Sequence, residues 1–409
     1  MSVEFLMMTK SECQNLQTPK KIAWISFIVF DFCNVVSQTQ MASEMSRRGH
    51  KVYLFAMRSR RRFTPPGSQF NLVLEPLRHV PLVSSSLYIF SALLFLPFYT
   101  AKERFDYFIV EPGTSLIGLV LAPFLRLMHA KIVLDIRTTP FETRTDFREQ
   151  LRGLLFRISV RIARQRFQGI TILTRLMKMQ VCSEFDLSPS FVGVWTSGVS
   201  DSMFNPRSAR AADKHLRREF GLEKKFVVFH HGVLGKVRAE GLINTIKAFA
   251  ILRDRFDDLV LFLLGEGDGV SILERITKEN GLNDAVMFHP RVDYVEVPDF
   301  IAMSDIAIVP LPNTANWRFQ NPLKLLEYLA MEKVVIVTDI PAHREVIGKS
   351  QSGIYIQSTD PEEIAVAITL AHDNRDKLGD WGKAGRRIVE DTYTWGRVAR
   401  NLDEYLSTI

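Results

Sequence analysis

The chain has 409 residues, 46% of them hydrophobic and 24% charged, with a formal net charge of +7. That length exceeds one ordinary core and fits two domains; the composition excludes a disordered chain and a typical transmembrane one. The charge is uneven: residues 1–200 hold 25 Lys and Arg against 14 Asp and Glu, while the remainder hold 27 against 31. A basic half beside an acidic one points the first half toward an anionic partner, with nucleic acid and membrane surface both open at this stage. Three scattered cysteines, Cys13, Cys33 and Cys182, have neither metal nor disulfide spacing, which suits a reducing compartment.

In chain order, residues 1–20 lack the apolar core of a secretory signal and read as a loose tail. "KIAWISFIV" (21–29) reads as a buried strand, "QTQMASEMSRRGH" as a helix stopped by Gly49, and "KVYLFA" (51–56) as the second strand. "RSRRRF" (58–63) reads as a solvated loop or as an anionic-lipid contact. Residues 80–99, "VPLVSSSLYIFSALLFLPFY", are interrupted by prolines and serines and fall short of the roughly twenty apolar residues a membrane span needs. A buried helix and a helix lying in a membrane face both remain open for them. "DYFIV" (106–110), "KIVLDI" (131–136) and "GITILT" (169–174) read as later strands. The arginine-rich "REQLRGLLFRISVRIARQRF" between them reads as an amphipathic helix with its arginines on a solvated face. No helix-turn-helix, zinc or RNA-binding aromatic signature accompanies it, so nucleic acid is not expected as a partner.

"VWTSGVSDSMFNP" (194–206) is small and polar and reads as a linker, after which the pattern restarts. "KFVVFHHG" (225–232), "LVLFLLGEGD" (259–268), "AVMFHP" and "DIAIVPLP" read as strands with helices between them. The fold class is therefore α/β: two Rossmann-like, doubly wound domains, over 21–203 and 204–392, facing across a cleft, with 393–409 returning to the first.

Three turns of the second domain must converge at the carboxyl ends of its strands. "HHGVLGKVR" carries Lys236 and Arg238, "HPRVDY" carries Arg291 and Val292, and "NPLK" (Asn321, Pro322, Leu323, Lys324) opens a helix. Free backbone N–H groups at a helix start, facing two cations, make a diphosphate site. Glu327 follows within the apolar part of that helix. It reads as an acceptor for paired ribose hydroxyls, as a surface residue of an amphipathic helix, or as one paired with Lys324 at i−3. "GEGDG" lacks the lysine of a P-loop and reads as a tight turn, and no metal-ligand motif or nucleophile elbow stands out. His230 and His231 read as structural rather than as a ligand pair.

From about residue 190 onward, "VWTSGVSDSMFNP", "FHHGVLGKVRAEGLINTIKAFAIL", "LLGEGDGVSILERITKENGLNDAVMFHPRV", "DIAIVPLP", "NPLKLLEYLAMEKVVIVTDIPAHREVI" and "YTWGRVARNLDEYL" occur in order. In this the chain resembles the retaining, nucleotide-sugar-dependent glycosyltransferases of GT-B type, family 4 (group 1). The resemblance implies a hexosyltransferase that moves a sugar from a UDP-, GDP- or ADP-sugar, keeps the anomeric configuration, and needs neither metal nor cofactor. It implies that Lys236, Arg238 and the "NPLK" amides hold the departing diphosphate, that Glu327 takes the ribose, and that Pro290, Arg291 and Val292 face the base. The first half resembles the family more weakly. There Arg137 stands where a histidine often contacts the sugar, and Arg137 with Glu111 are the acceptor-side candidates, the alternative being a buried ion pair between neighbouring loops. Phe319 occupies the place of the family's first glutamate, eight positions before Glu327, and the first loop, "FDFCNVVSQ", lacks the usual glycines.

The basic first half and the apolar 82–99 segment favour a glycan or lipid-linked acceptor and an anionic membrane surface met by the N-terminal domain. That places the protein in the cytoplasm, peripheral to the inner membrane face. A catalytically degenerate partner subunit and a nucleotide-sugar isomerase or epimerase of the same fold are the alternatives.

Overall fold

The computed structural model describes residues 18–29, 36–58, 69–78, 84–138, 147–236, 239–314 and 317–409. Residues 1–17 of the expected tail, the arginine run 59–62, residues 30–35 of the first loop and Arg238 lie outside them. The chain divides into two compact units, Met1–Trp195 with Ala399–Ile409, and Thr196–Val398.

The first unit runs β1 (Lys21–Val29), α1 (Val36–Arg47), β2 (Lys51–Arg58), β3 (Asn71–Arg78), α2 (Ser84–Glu103), β4 (Tyr107–Val110), α3 (Ser115–Leu127), β5 (Lys131–Ile136), α4 (Phe147–Arg166), β6 (Gly169–Ile172), α5 (Arg175–Phe185) and β7 (Val192–Val194). Its strands form one parallel sheet in the order β3-β2-β1-β4-β5-β6-β7. The central strands are unbroken apolar runs because helices cover both faces of a parallel sheet. Gly49, at φ +95°, makes the turn out of α1 that a side chain would strain. Strand β3, "NLVLEPLR", was not read from the sequence. Its Glu75 and Pro76 break the apolar run, and a strand tolerates proline only where, as here, it lies at the sheet edge.

The second unit runs α6 (Arg210–Glu219), β8 (Phe226–His231), α7 (Ala239–Leu252), β9 (Leu259–Leu264), α8 (Val270–Glu279), β10 (Val286–His289), α9 (Val297–Ala302), β11 (Ile306–Val309), α10 (Leu323–Ala330), β12 (Val334–Thr338), α11 (Pro341–Ile347), β13 (Gly353–Ile356), α12 (Pro361–Asp373) and α13 (Leu378–Ile388). Its parallel sheet has the order β10-β9-β8-β11-β12-β13. Side chains alternate across it: Val227, Phe229, Phe262 and Val337 enter one apolar layer, and Val228, Leu261, Ile308 and Ile336 enter the other.

The segment expected as a polar linker is packed instead. Trp195, Val199 and Phe204 are fully buried. The Val199 N–H donates to Tyr393 O at 2.9 Å, and a Cβ on Gly198 would stand 2.7 Å from the Trp395 ring. The small residues are there for close approach to residues 393–395. The boundaries drawn on the sequence at 203/204 and 392/393 accordingly fall at 195/196 and 398/399 in the pattern of contacts. The last helix, α14 (Trp395–Thr408), begins in the second unit and ends in the first, where the Tyr405 hydroxyl donates to Phe191 O at 2.6 Å and its ring fills the space above Gly193.

Strand order reverses between β1 and β4 in one unit and between β8 and β11 in the other. In doubly wound sheets the crevice at that reversal, outside the carboxyl ends of the strands, is where ligands bind.

Candidate functional site

At the carboxyl end of β8 the chain passes through His230, His231 and Gly232. The turn after β9 comes up against it so closely that a Cβ on Gly265 (φ +148°) would stand 1.9 Å from Gly232 O, and one on Gly267 2.5 Å from Leu234 O. The first turn of α7 reaches β11 in the same way, at Gly241 against Pro310 O. Glycine is required at these positions because backbone meets backbone there. The "GEGDG" turn is thereby fixed to the loop that carries Lys236, whose N–H donates to Asp268 Oδ1 at 2.9 Å.

Helix α10 begins after Pro322, whose extended backbone (φ −71°, ψ 132°) pre-sets the helix start. Asn321 is buried. Its carbonyl accepts from Ser197 Oγ at 3.1 Å, its Nδ2 lies 3.4 Å from Thr196 Oγ1, and its Oδ1 has no partner among the described residues. Leu323 is half-buried in the first turn. Lys324 Nζ lies 3.1 Å from His230 Nε2, and His230 Nδ1 lies 2.8 Å from Ile308 O. The carbonyl can only accept, so His230 carries its proton on Nδ1 and receives Lys324 on Nε2.

Glu327, in the second turn of α10, is only 3% exposed. It is therefore not a surface residue on an amphipathic helix. Its Oε1 accepts from the Tyr294 hydroxyl at 2.6 Å, and its Oε2 lies 2.9 Å from His231 Nε2. The Tyr328 hydroxyl, 2.9 Å from both His231 N and His231 Nδ1, accepts from the first and donates to the second. That leaves the ring proton on Nε2, aimed at Glu327. Burial pushes the His231 pKa down, outweighing the pull of Glu327, so the imidazole is neutral and donates one hydrogen bond. Burial beside Glu327 holds the Tyr294 phenol well above its ordinary range, so it too is a neutral donor. The result is a desolvated carboxylate held in place by two neutral donors, with an ammonium one turn away on the same helix.

The structure thus brings Glu327, Lys324, His231 and Tyr294 together. Arg291 and Val292 lie on the loop that supplies Tyr294. Val292 packs against the core, and Arg291 is exposed, with Nη1 3.3 Å from Glu266 Oε1. Lys236 is exposed on the loop after β8.

The first-unit candidates occupy the corresponding end of the other sheet. Glu111 follows β4, and its Oε1 accepts from Ser26 Oγ at 2.7 Å and from Gln38 Nε2 at 3.5 Å. Arg137 follows β5. Its guanidinium lies 3.4 Å over the Trp195 ring and donates to Trp195 O at 2.7 Å. Burial pushes its pKa down to about 10, against the opposing charges of Asp135 and Glu111, so it stays charged at neutral pH. Asp135 is fully buried. Its Oδ1 accepts from Thr171 Oγ1 at 2.8 Å and Trp195 Nε1 at 2.9 Å, and burial raises its pKa.

His231, Tyr294 and Tyr328 were missed as members of the site, as were Ser26, Gln38 and Trp195. The available signal was the histidine pair at the end of a fully buried strand, since a polar side chain there must find a partner. No cluster of three His, Cys, Asp or Glu suited to a metal occurs among the described residues.

Residues 213–388 match the family described as glycosyl transferases group 1. Over 234 residues the chain is 26% identical to spore coat protein SA of Bacillus subtilis, covering 54% of this chain and 60% of that protein. Over 211 residues it is 25% identical to a GDP-mannose-dependent alpha-(1-6)-phosphatidylinositol monomannoside mannosyltransferase of Mycobacterium tuberculosis, covering 51% and 54%. The chain thus matches a little over half the length of these curated relatives. The crystal structure of a glycosyltransferase from Rickettsia africae shares the fold, with a TM-score of 0.73 over 96% of this chain and 99% of that one at 13% identity.

Proposed function

We propose, from the match of residues 213–388 to the group 1 glycosyl transferases, that the protein transfers a sugar from a nucleoside diphosphate sugar to a glycan or lipid-linked acceptor. Transfer proceeds with retention and without a metal, in the cytoplasm at the membrane face. The observation that carries this reading is Glu327, buried yet held by His231 and Tyr294 at the β8–β11 reversal. The carboxylate is positioned to accept from paired ribose hydroxyls. Lys324 and the positive end of α10 supply positive potential for the diphosphate, with Lys236 on the facing loop. Stabilising the charge that develops on the departing diphosphate lowers the barrier to transfer. Glu111 and Arg137 serve the acceptor side.

The reading is tested by incubating the protein with UDP-, GDP- and ADP-sugars and a membrane-lipid extract, and measuring nucleoside diphosphate release and the anomeric coupling of the product by NMR. Release with one base class and a retained anomer supports it, and an inverted product overturns the retaining mechanism. One observation favours a second reading, a partner subunit without turnover: Phe319 stands eight positions before Glu327, where the resemblance places a glutamate. Tight nucleotide binding with no diphosphate release under any acceptor would select it.

A further inference from the structure

Helices α2, α3 and α4 lie side by side in one layer over the first sheet, α2 against α3 and α3 against α4. Each turns apolar residues inward, as a covering helix must: Tyr88 and Leu96, Ile117 and Leu125, Phe156 and Val160 are buried. Each is also apolar outward. On α2 the outer positions recur at helical spacing as Leu87, Phe90, Leu94 and Phe98, the last 77% exposed. On α3 they are Leu116, Val120 and Leu127, and on α4 Leu151, Leu154, Leu155 and Ile158. Among the described residues, twelve of the eighteen exposed large apolar side chains lie on these three helices. Helix α8 of the second unit shows the ordinary case, with Ser271, Glu274, Arg275 and Lys278 outermost. A contiguous apolar face of this kind marks an interaction surface.

Charge says what covers it. The three helices contain eight basic residues, Lys102, Arg126 and six arginines of α4, against Glu103 and Glu149. Arg152, Arg157 and Arg161 are exposed beside the leucines of α4. A second copy seated on this face by a two-fold axis would set like charge against like. Nucleic acid would meet the arginines but leave the apolar stripes uncovered. A leaflet with anionic headgroups satisfies both, taking the guanidinium groups at the phosphates and the Phe and Leu side chains at the acyl boundary.

We propose that the outer face of α2, α3 and α4 docks on an anionic phospholipid surface. No helix among the described residues is long and apolar enough to cross a membrane, so this is contact with one leaflet. As a route to a lipid-linked acceptor the inference rests on the reading above; as a lipid-binding surface it stands without it.

The test is flotation of the full chain with phosphatidylcholine–phosphatidylglycerol vesicles and with pure phosphatidylcholine vesicles, beside light scattering of the free protein. The wild type is expected to float with the anionic vesicles at low salt and to be released as salt rises. The double variant Phe90→Glu with Phe98→Glu should lose about tenfold in partitioning, and so should Arg157→Glu with Arg161→Glu. Both should keep the wild-type melting temperature and any nucleotide-sugar stabilisation. Failure of the wild type to float, variants that float as it does, or a wild-type dimer that Phe98→Glu dissociates would each overturn the proposal. Flotation without any nucleotide-sugar binding would uphold the surface and reject the donor site.

Discussion

The carboxyl ends of the two sheets use buried carboxylates to opposite effect. In the first unit Asp135 accepts from the Trp195 indole and the Thr171 hydroxyl, and Arg137 is laid flat on that indole. These groups fix a strand end to the residue where the unit closes. In the second unit Glu327 is held, among the described residues, by a phenol and an imidazole that burial keeps neutral, in the second turn of a helix. A carboxylate tied to a large buried aromatic ring is scaffolding. One whose donors are a neutral phenol and a neutral imidazole, which ligand hydroxyls can replace, suits the ribose contact proposed above.

The largest effect is expected where the scaffold is cut. Trp195→Ala empties a fully buried indole site, removing the indole N–H that donates to Asp135 and the ring under the Arg137 guanidinium. It should cost about 4 kcal/mol in thermal or denaturant unfolding, while nucleotide-sugar stabilisation of whatever protein remains folded is unchanged. Loss of donor binding with retained stability would reverse the assignment of the two ends.

Acid is expected to weaken the second unit through its neutral histidines. His343 donates from Nδ1 to Thr338 O at 2.7 Å, its Nε2 is buried without a partner among the described residues, and burial pushes its pKa down to about 4. The unfolded chain takes up the proton near the ordinary value of 6.5 and the folded chain only near 4. Stability is therefore full above 6.5 and drains as pH falls toward 4, by on the order of 3 kcal/mol. His231, shifted the same way, adds to the slope. Thermal unfolding from pH 7.5 to 4.5 should show the fall, and His343→Gln should flatten it in part; an unchanged slope would mean that His343 is not held neutral.

Tyr294→Phe removes one hydroxyl from Glu327 without changing the packing. It should cost about 1 kcal/mol, read as a roughly fivefold rise in nucleotide-sugar Kd. A loss confined to unfolding stability would make Tyr294 scaffolding as well. The smallest effect belongs to Arg291→Ala, which breaks an exposed pair with Glu266. It should shift stability by less than about 0.5 kcal/mol.

The parallel strands were legible because burial on both faces leaves unbroken apolar runs, as in "LVLFLL" and "IAIVP". Glu327 was legible as an acid out of place in an apolar helix. Its partners were not, since His231 and Tyr294 lie 96 and 33 residues away and only the fold brings them in. The outer apolar face of α4 was hidden for another reason. Its arginines marked a solvated face, and periodicity does not tell which apolar positions beside them stay exposed. The 194–206 segment was misread because small residues serve close packing as well as flexibility, and only the Trp395 ring over Gly198 decides between them.

The central claim is that Glu327 belongs to a nucleotide-sugar site. The most direct measurement is a thermal-shift panel of UDP-, GDP- and ADP-sugars on the wild type, Glu327→Gln and Glu327→Ala. A donor at 100 times its Kd should stabilise the wild type by about 2.7 kcal/mol, for one base class, with the gain abolished in both folded variants. No stabilisation of the well-folded wild type by any of them, or an undiminished gain in the variants, would contradict the account.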